Sequence, residues 1–408
     1  MNSAYIFSLG LGIEAPWEIQ KISFKTNKGK KELHIEIGYV RGTKFPDETG
    51  ALCPVYDTQK RTWRHLNFFE HKTYLTCKVP RIETCSGKVR LVNVPWSREN
   101  SGFTLLFEAY VMALIEHEMP VNKAGKLVDE NAHRLWTIFN YWIERAYSKD
   151  APKKIERLGL DETSRRKGHS YITVAADLDE RRVIHVAEGK GKAAVGPIKD
   201  YFLSKGLSPS DVEHVSMDMS PSFISGTLTH FEKAAIHFDR FHVVKLLNEA
   251  MDTVRKQERL EHKMLKGHKY TFLKNKDKLS KAKKKALGEF IILFPVLGEA
   301  YRLKELFNDL WEQETEEEAI LFLEDWFEQV ETAGIEAFKR FSKTVKLHRS
   351  GIINFCGSRI NNGLLEGINS KIQLAKKRAR GFRLTKNFIN MIYFLCGKLT
   401  FDYPLYSS

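Results

Sequence analysis

Residues 155–177 read IERLGLDETSRRKGHSYITVAAD, and the organisation of the whole chain turns on this stretch. IERLGLD has the length and apolar content of a strand, and SYITVAAD of a second. RRVIHVAE (181–188) is a third, reached through the turn Asp177-Leu178-Asp179-Glu180. Residues 193–205 have the spacing of an amphipathic helix, and VEHVSMD (212–218) that of a fourth strand. A helix from Pro221 to Phe231, a strand in AAIHFD (234–239) and a long helix from His242 follow. The expected order is β-β-β-α-β-α-β-α.

That order is the one found in RNase H-like domains, whose sheet carries a metal site at its strand ends. Strands one and four are neighbours there. Asp161 is expected to end the first strand and Asp218 the fourth, which sets two oxygen donors side by side. Glu366, in NGLLEGIN, lies on a later helix that can complete the cluster. Three carboxylates so close repel one another unless a hard cation neutralises them. Two Mg²⁺ ions about 3.5–4 Å apart can activate a water or a 3′-hydroxyl and stabilise the leaving oxygen. Mn²⁺ can stand in for Mg²⁺. A single Asp at a strand end is more often a turn or helix cap. Asp177 and Asp179 are read that way, and Glu162 should face away from Asp161 if the strand continues. Asp239-Arg240-Phe241-His242 has two readings: a helix N-cap, or a histidine beside the metal site that supports catalysis.

Working outward, residues 256–346 show no strand pattern and are helical and highly charged. They read as an all-α insertion domain. The sheet domain then occupies residues 151–255 and 347–408, the second part carrying the Glu366 helix. Basic residues follow Glu366: Lys371, Lys376, Lys377, Arg378, Arg380 and Arg383. Such a run is commonly a solvated face, but next to a metal site it suits a DNA backbone. Lys274 to Lys285 could act likewise, or could be a solvated loop.

Upstream, residues 99–150 carry three helices: 103–118, 121–127 and 132–147. They read as a helix-turn-helix or as a plain helical linker. Residues 1–98 form a small β-rich module that opens with a hairpin turning at Asn27-Lys28-Gly29.

The chain has 408 residues and a formal net charge of +14, from 65 Lys and Arg against 51 Asp and Glu. That surplus favours a polyanion, nucleic acid first and an anionic membrane surface second. No apolar run approaches the roughly 20 residues of a membrane span, and the N-terminus makes a poor signal peptide. The five cysteines are odd in number, scattered and free of C-x-x-C pairs. A reducing cytoplasm fits them better than a disulfide framework does.

The chain resembles the ISL-three family of insertion-sequence transposases along nearly its whole length. The resemblance is carried by CPVYDTQKRTWRHLNFFEHKTYL, VPWSRENSGFTLLFEAYVMAL, GLDETSRRKGHSYITVAADLD, VSMDMSPSFISG, FDRFHVVKLLNEAMD and SRINNGLLEGINSKIQLAKKRARGF. It implies a DDE transposase of the RNase H-like class, with Asp161, Asp218 and Glu366 as the metal-binding triad. It further implies strand cleavage and strand transfer, binding to terminal inverted repeats, and the helical insertion. A cytoplasmic, nucleoid-associated bacterial protein is expected, acting on DNA as a homodimer or larger assembly. Members of the family carry a cysteine-rich zinc module near the N-terminus. Here FPDETGALCPVYD and RIETCSGKVR lack the paired cysteines, so a degenerate zinc-ribbon-like module without zinc is expected. Two other readings stand beside this one: a catalytically inactive DNA-binding descendant, and an RNase H-like nuclease that cuts without joining.

Overall fold

The computed structural model describes residues 3–166, 170–360 and 363–403. They divide into two compact units, residues 1–148 with residues from Thr400 onward, and residues 149–399. None of the described helices is long and apolar enough to cross a membrane.

The first unit opens with α1 (Ser3–Leu11) and the hairpin β1 (Trp17–Asn27) and β2 (Lys30–Tyr39). Asn27 pairs with Lys30, so the turn is Lys28-Gly29, with φ of 47° and 79°. Two successive positive φ values make this the mirror-image turn that matches strand twist. Two short strands follow, β3 (Phe45–Pro46) and β4 (Leu52–Cys53), then β5 (Val55–Phe68), β6 (His71–Glu83) and β7 (Val89–Leu91). The sheet runs β1-β2-β6-β5, with β7 on β6. Leu33, Ile35, Ile37, Leu75, Val79, Trp63 and Trp96 form its core. The sequence reading misses β5. Along β5 only Trp63 and Arg64 are buried, so no apolar alternation marks it.

Three helices complete the unit: α2 (Leu105–Glu116), α3 (Val121–Leu127) and α4 (Ala132–Lys149). Thr104 caps α2 by accepting from the Phe107 N–H. Glu108 is fully buried at their centre. It accepts from Arg98 Nε at 2.8 Å, Ser101 Oγ at 2.5 Å and Trp142 Nε1 at 2.8 Å. The chain returns to this unit near its end, where Arg145 forks onto Asp402 and Tyr403 sits edge-on to Trp142. Residues 400–403 therefore belong here and not with the sheet domain expected over 347–408.

Two of the cysteines are closer in space than in sequence. Cys53 and Cys85 lie far apart in sequence, yet with Asp47 their ligand atoms all fall within 4.8 Å of one another. Sequence spacing alone is blind to that meeting.

The second unit holds β8 (Arg157–Arg166), β9 (Ser170–Asp177), β10 (Arg182–Glu188), α5 (Lys192–Ser204), β11 (His214–Met217), α6 (Pro221–His230), β12 (Ala235–Phe238) and α7 (Arg240–Glu261). Its sheet is mixed, in the order β10-β9-β8-β11-β12. β8, β9 and β10 are antiparallel neighbours, while β11 lies parallel to both β8 and β12. The first strand does not end at Asp161. It continues to Arg166, because Asp161, Glu162, Thr163 and Ser164 pair with Val174, Thr173, Ile172 and Tyr171. Their polar side chains conceal a backbone that β9 keeps fully paired.

After α7 come α8 (Lys269–Leu273), α9 (Lys281–Leu293), α10 (Pro295–Asn308), α11 (Glu316–Ala333), α12 (Glu336–Leu347) and α13 (Arg349–Ser358). The limit expected at 255/256 falls inside α7, which runs unbroken from the sheet into the helical segment. Trp311, Trp326, Phe307 and Phe338 fill that segment's core. It rejoins the sheet where Asn354 Nδ2 donates to the Ile236 carbonyl at 2.8 Å. Asn361 and Asn362 lie outside the described residues. The last helices are α14 (Gly363–Arg378) and α15 (Thr385–Cys396).

Two histidines of this unit make its stability pH-dependent. Burial holds His185 and His237 at about 4, against 6.5 when exposed. The unfolded chain therefore binds more protons between pH 6.5 and 4, and stability is complete above that window and lost as pH falls through it. Going from pH 7 to 5 should cost about 2 kcal/mol per histidine. Asp161, pushed up to about 6, works in the opposite direction and returns about 1 kcal/mol. Urea midpoints measured at the two pH values check the net loss.

Candidate carboxylate site

Three chain segments converge at the ends of the parallel strands. Asp161 sits on β8. Its Oδ1 accepts from the Glu162 N–H at 2.7 Å, and its Oδ2 accepts from Asn369 Nδ2 on α14. Asp218 directly follows β11 and accepts from the Ser220 N–H at 2.9 Å, a turn that launches α6. Asp239 directly follows β12. Its N–H donates to the Met217 carbonyl at 3.1 Å, which keeps the two strand ends in step. Asp239 caps α7 through the Phe241 N–H at 3.1 Å. Its other oxygen lies 3.1 Å from His242 Nδ1, an ion-pair contact.

The electrostatics agree with this crowding. Burial pushes the Asp161 carboxyl up to about 6; the Asp218 and Asp239 charges add to that, while the Glu162 N–H and His242 oppose it. His242 is raised, first by the Asp239 carboxylate beside it and then by Asp218 and Asp161. Asp161, Asp218, Asp239 and His242 thus share one field. Asp239 caps the helix with one oxygen and meets His242 with the other. Its place at the end of β12, parallel to β11, is the signal that points to it.

Glu366 occupies the first turn of α14 and is exposed. The carboxylates of Asp161, Asp218 and Glu366 do not gather within 4.8 Å of one another among the described residues. The helix is nevertheless seated on β8. Leu365 packs where a Cβ on Gly159 would come within 2.9 Å of its Cδ1. Beyond Asn369, Gln373 Nε2 donates to Thr163 Oγ1 at 2.8 Å and Lys376 Nζ to the Ser164 carbonyl at 2.7 Å. Glu366 precedes Asn369 by three residues, so both lie on the helix face turned toward Asp161. That spacing was visible in the sequence and would have found Asn369. Glu162 accepts from the Gly191 N–H at 2.9 Å, and burial together with the Asp218 charge raises its carboxyl.

The basic residues after Glu366 divide. Lys371, Lys377, Arg378, Arg380 and Arg383 are exposed. Lys376 is half-buried and ties α14 to β8, so its ammonium already has a carbonyl partner.

Comparison with known proteins bears on the whole chain. A family model described as a transposase, the DDE domain of the ISL3 type, matches residues 158–392. The helix-turn-helix domain of transposase family ISL3 matches residues 92–143, the segment containing α2, α3 and most of α4. The chain is 28% identical over 378 residues to the transposase for insertion sequence element IS1001 of Bordetella parapertussis, covering 90% of this chain and 91% of that relative. It is 27% identical over 424 residues to the transposase for insertion sequence element IS1557 of Mycobacterium tuberculosis, covering 94% and 93%. With the DDE model spanning more than half of its length, the chain belongs to transposase family ISL3.

Proposed function

We propose that this transposase binds the terminal inverted repeats of a bacterial insertion sequence, cleaves the element ends and joins them to target DNA. The RNase H-like arrangement is part of the proposal. Its support is the sheet order β10-β9-β8-β11-β12, with β11 and β12 parallel to β8. The observation that carries the reading is the meeting of Asp161, Asp218, Asp239 and His242 at one sheet end, with the Glu366 helix bound to Asp161 through Asn369.

A cluster of carboxylate oxygens is the donor set of a hard divalent cation. Asp161, Asp218 and Glu366 would hold it. Bound there, Mg²⁺ or Mn²⁺ would acidify the attacking hydroxyl and neutralise the leaving oxygen. The chain's own part is positioning. Asn369 and the Glu162 N–H hold the Asp161 carboxylate in one orientation. His242, whose protonated form the Asp239 carboxylate favours, can steady the carboxylates or contact the scissile phosphate. Water attacks the phosphodiester at the element end, and the bond to the 3′ oxygen breaks to leave a 3′-hydroxyl. That hydroxyl then attacks a target phosphodiester and gives up its proton, and the target's own 3′-hydroxyl departs. Two ends must be handled together, so a homodimer or larger assembly is proposed, and particle mass on paired ends tests it.

The exposed basic residues Lys371, Lys377, Arg378, Arg380 and Arg383 are proposed to hold the DNA backbone. So is the lysine run at the start of α9. Lys274, Lys276, Lys278, Lys281, Lys283, Lys284 and Lys285 are all exposed, but they do not belong to a loose loop. Tyr301 Oη and the buried Lys304 Nζ both donate to the Lys274 carbonyl, and Glu305 accepts from the Lys276 N–H at 3.0 Å. Changing Lys281, Lys283, Lys284 and Lys285 to Gln should reduce the slope of log affinity against log salt by about 3. An unchanged slope in anisotropy titrations removes this surface from the DNA path.

The deciding assay is cleavage of a labelled element-end duplex in Mg²⁺ or Mn²⁺, followed by joining of the product to a second duplex. Cutting without joining favours a nuclease. Binding without cutting favours an inactive descendant.

A further inference from the structure

We infer that the corner between α9 and α10 is a docking face for a second copy of this chain, paired about a two-fold axis. The corner is written in eight successive apolar residues, FIILFPVL over 290–297. Phe290, Phe294 and Leu297 are buried in the core of the helical segment, at the spacing of an inward helical stripe. The residues between them fall on the outer faces, which are polar on an ordinary surface helix. Here they are Ile291, Ile292, Leu293 and Val296, all exposed. The apolar surface extends beyond the corner. The His262 ring lies against that of Phe294, with centroids 4.7 Å apart. Leu260 and Met264, on either side of that histidine in the chain, are exposed as well. Ile292 and Leu260 are each 80% exposed, and Leu293, Val296 and Met264 more than half.

Single exposed apolar residues are ordinary on a protein surface. A cluster of them around one corner is not, and patches of this kind mark contact sites. The five most exposed side chains offer on the order of 600 Å², and the cleft beside them brings the face near the 800 Å² or so per partner that a standard interface buries. That cleft, of about 620 Å³, lies between α9 and α10 and is floored by Leu287, Gly288, Ile291 and Pro295. A Cβ on Gly298 would come within 2.9 Å of the Ile291 carbonyl, so the two helices touch at that point. A Cβ on Gly288 would meet nothing within 4 Å, which leaves the cleft open. A two-fold contact must be self-complementary, because each copy contributes the same surface. Knob and cleft on one corner meet that requirement: Ile292 and Leu293 of each copy can enter the cleft of the other. The rim meets it too. Lys284 and Arg302 stand there with Glu299 and Glu305, so opposite charges can face each other across the axis. DNA does not fit the corner, since residues 290–297 contain no cation. α9 thus divides its partners, with lysines at its start for the proposed DNA path and an apolar end for a second copy. The need for paired subunits comes from the proposed function; the face itself uses none of the cleavage chemistry.

The test is sedimentation equilibrium of the full chain over a range of micromolar concentrations, free and on a single element-end duplex. The expected result is a dimer whose dissociation constant rises at least about thirtyfold in Ile292→Glu, the loss typical of a central contact residue, with an unchanged urea midpoint. Hydrogen exchange of the parent gives a second reading that needs no variant. Amides over 288–302 should exchange at least about tenfold more slowly where the dimer predominates than in the dilute monomer. A dimer that Ile292→Glu leaves intact uses another face and overturns the inference. Exchange over 288–302 that ignores concentration overturns it as well. So does a parent that stays monomeric both free and on DNA, and flotation of that monomer with neutral phospholipid vesicles would assign the corner to a lipid surface instead. Strand cleavage is scored separately. A dimer that never cuts counts against the proposed function and not against this face, and a monomer that cuts does the reverse.

Discussion

Asp161→Asn and Asp218→Asn each abolish strand cleavage, by about three powers of ten or more, while leaving element-end binding within a factor of about two. The asymmetry follows from where the charges sit. Asparagine keeps the size of Asp161 and can still accept from the Glu162 N–H, so the strand survives; its amide nitrogen takes the place of the oxygen that Asn369 Nδ2 donates to, and that contact is kept by Asn369 turning its own unpartnered amide oxygen inward. What disappears is one carboxylate of a crowded anionic field that a cation would neutralise. On the proposed path the DNA backbone would meet lysines and arginines that neither change touches. Gel-shift and cleavage assays on the same duplex separate the two effects. Glu366→Gln belongs to the same series and is its most informative member, because Glu366 is exposed on a helix while the two aspartates sit at strand ends. Cleavage that persists in any one variant removes that residue from the proposed triad.

Glu108→Ala destabilises the N-terminal unit by about 3–5 kcal/mol, the usual cost of removing one partner from a buried charged network. Glu108 is inaccessible to solvent and takes three hydrogen bonds, from Arg98, Ser101 and Trp142. Without it, Arg98 Nε and the Trp142 N–H lose their acceptor, and the guanidinium keeps only the Glu99 carbonyl at 3.5 Å and the face of Tyr141. These residues join α2 and α4, both within the segment that matches the helix-turn-helix domain. DNA binding should therefore fall together with the urea midpoint. Glu108→Gln retains an acceptor of the same shape and should cost less. Equal midpoints for Glu108→Ala and the parent would exclude the network as a stabilising element.

The sheet of the second unit was legible because its buried strands are apolar and its turns are marked by Asp and Gly. SYITVAAD and RRVIHVAE have few polar positions, and the structure pairs them as β9 and β10. Asp161 and Asp218 were legible for the related reason that a carboxylate at the end of an apolar run stands out. Legibility failed wherever backbone pairing was independent of side-chain polarity. The outer half of β8 and most of β5 are strands written in polar residues. It failed again where the chemistry is made by folding. Asp239 reads as a cap until β12 is set beside β11, and Cys53 and Cys85 read as isolated until two turns meet. Lys376 shows the reverse error, for a lysine that reads as DNA-facing is spent on the Ser164 carbonyl.

The return of residues 400–403 to α4 also bears on how the protein is made. A ribosome delivers the β-module and the three helices first, and domains tend to fold as units in the order of synthesis. Here the N-terminal unit cannot complete its packing on that schedule. The partners of Arg145 and Trp142, namely Asp402 and Tyr403, are translated only after the whole of the second unit. Until then one side of α4 waits, and a nascent chain cut short anywhere in the second unit carries an unfinished N-terminal unit. Intact translation thus becomes a condition for a finished DNA-binding segment, and an element whose reading frame is interrupted would be slow to produce a competitor for its own ends.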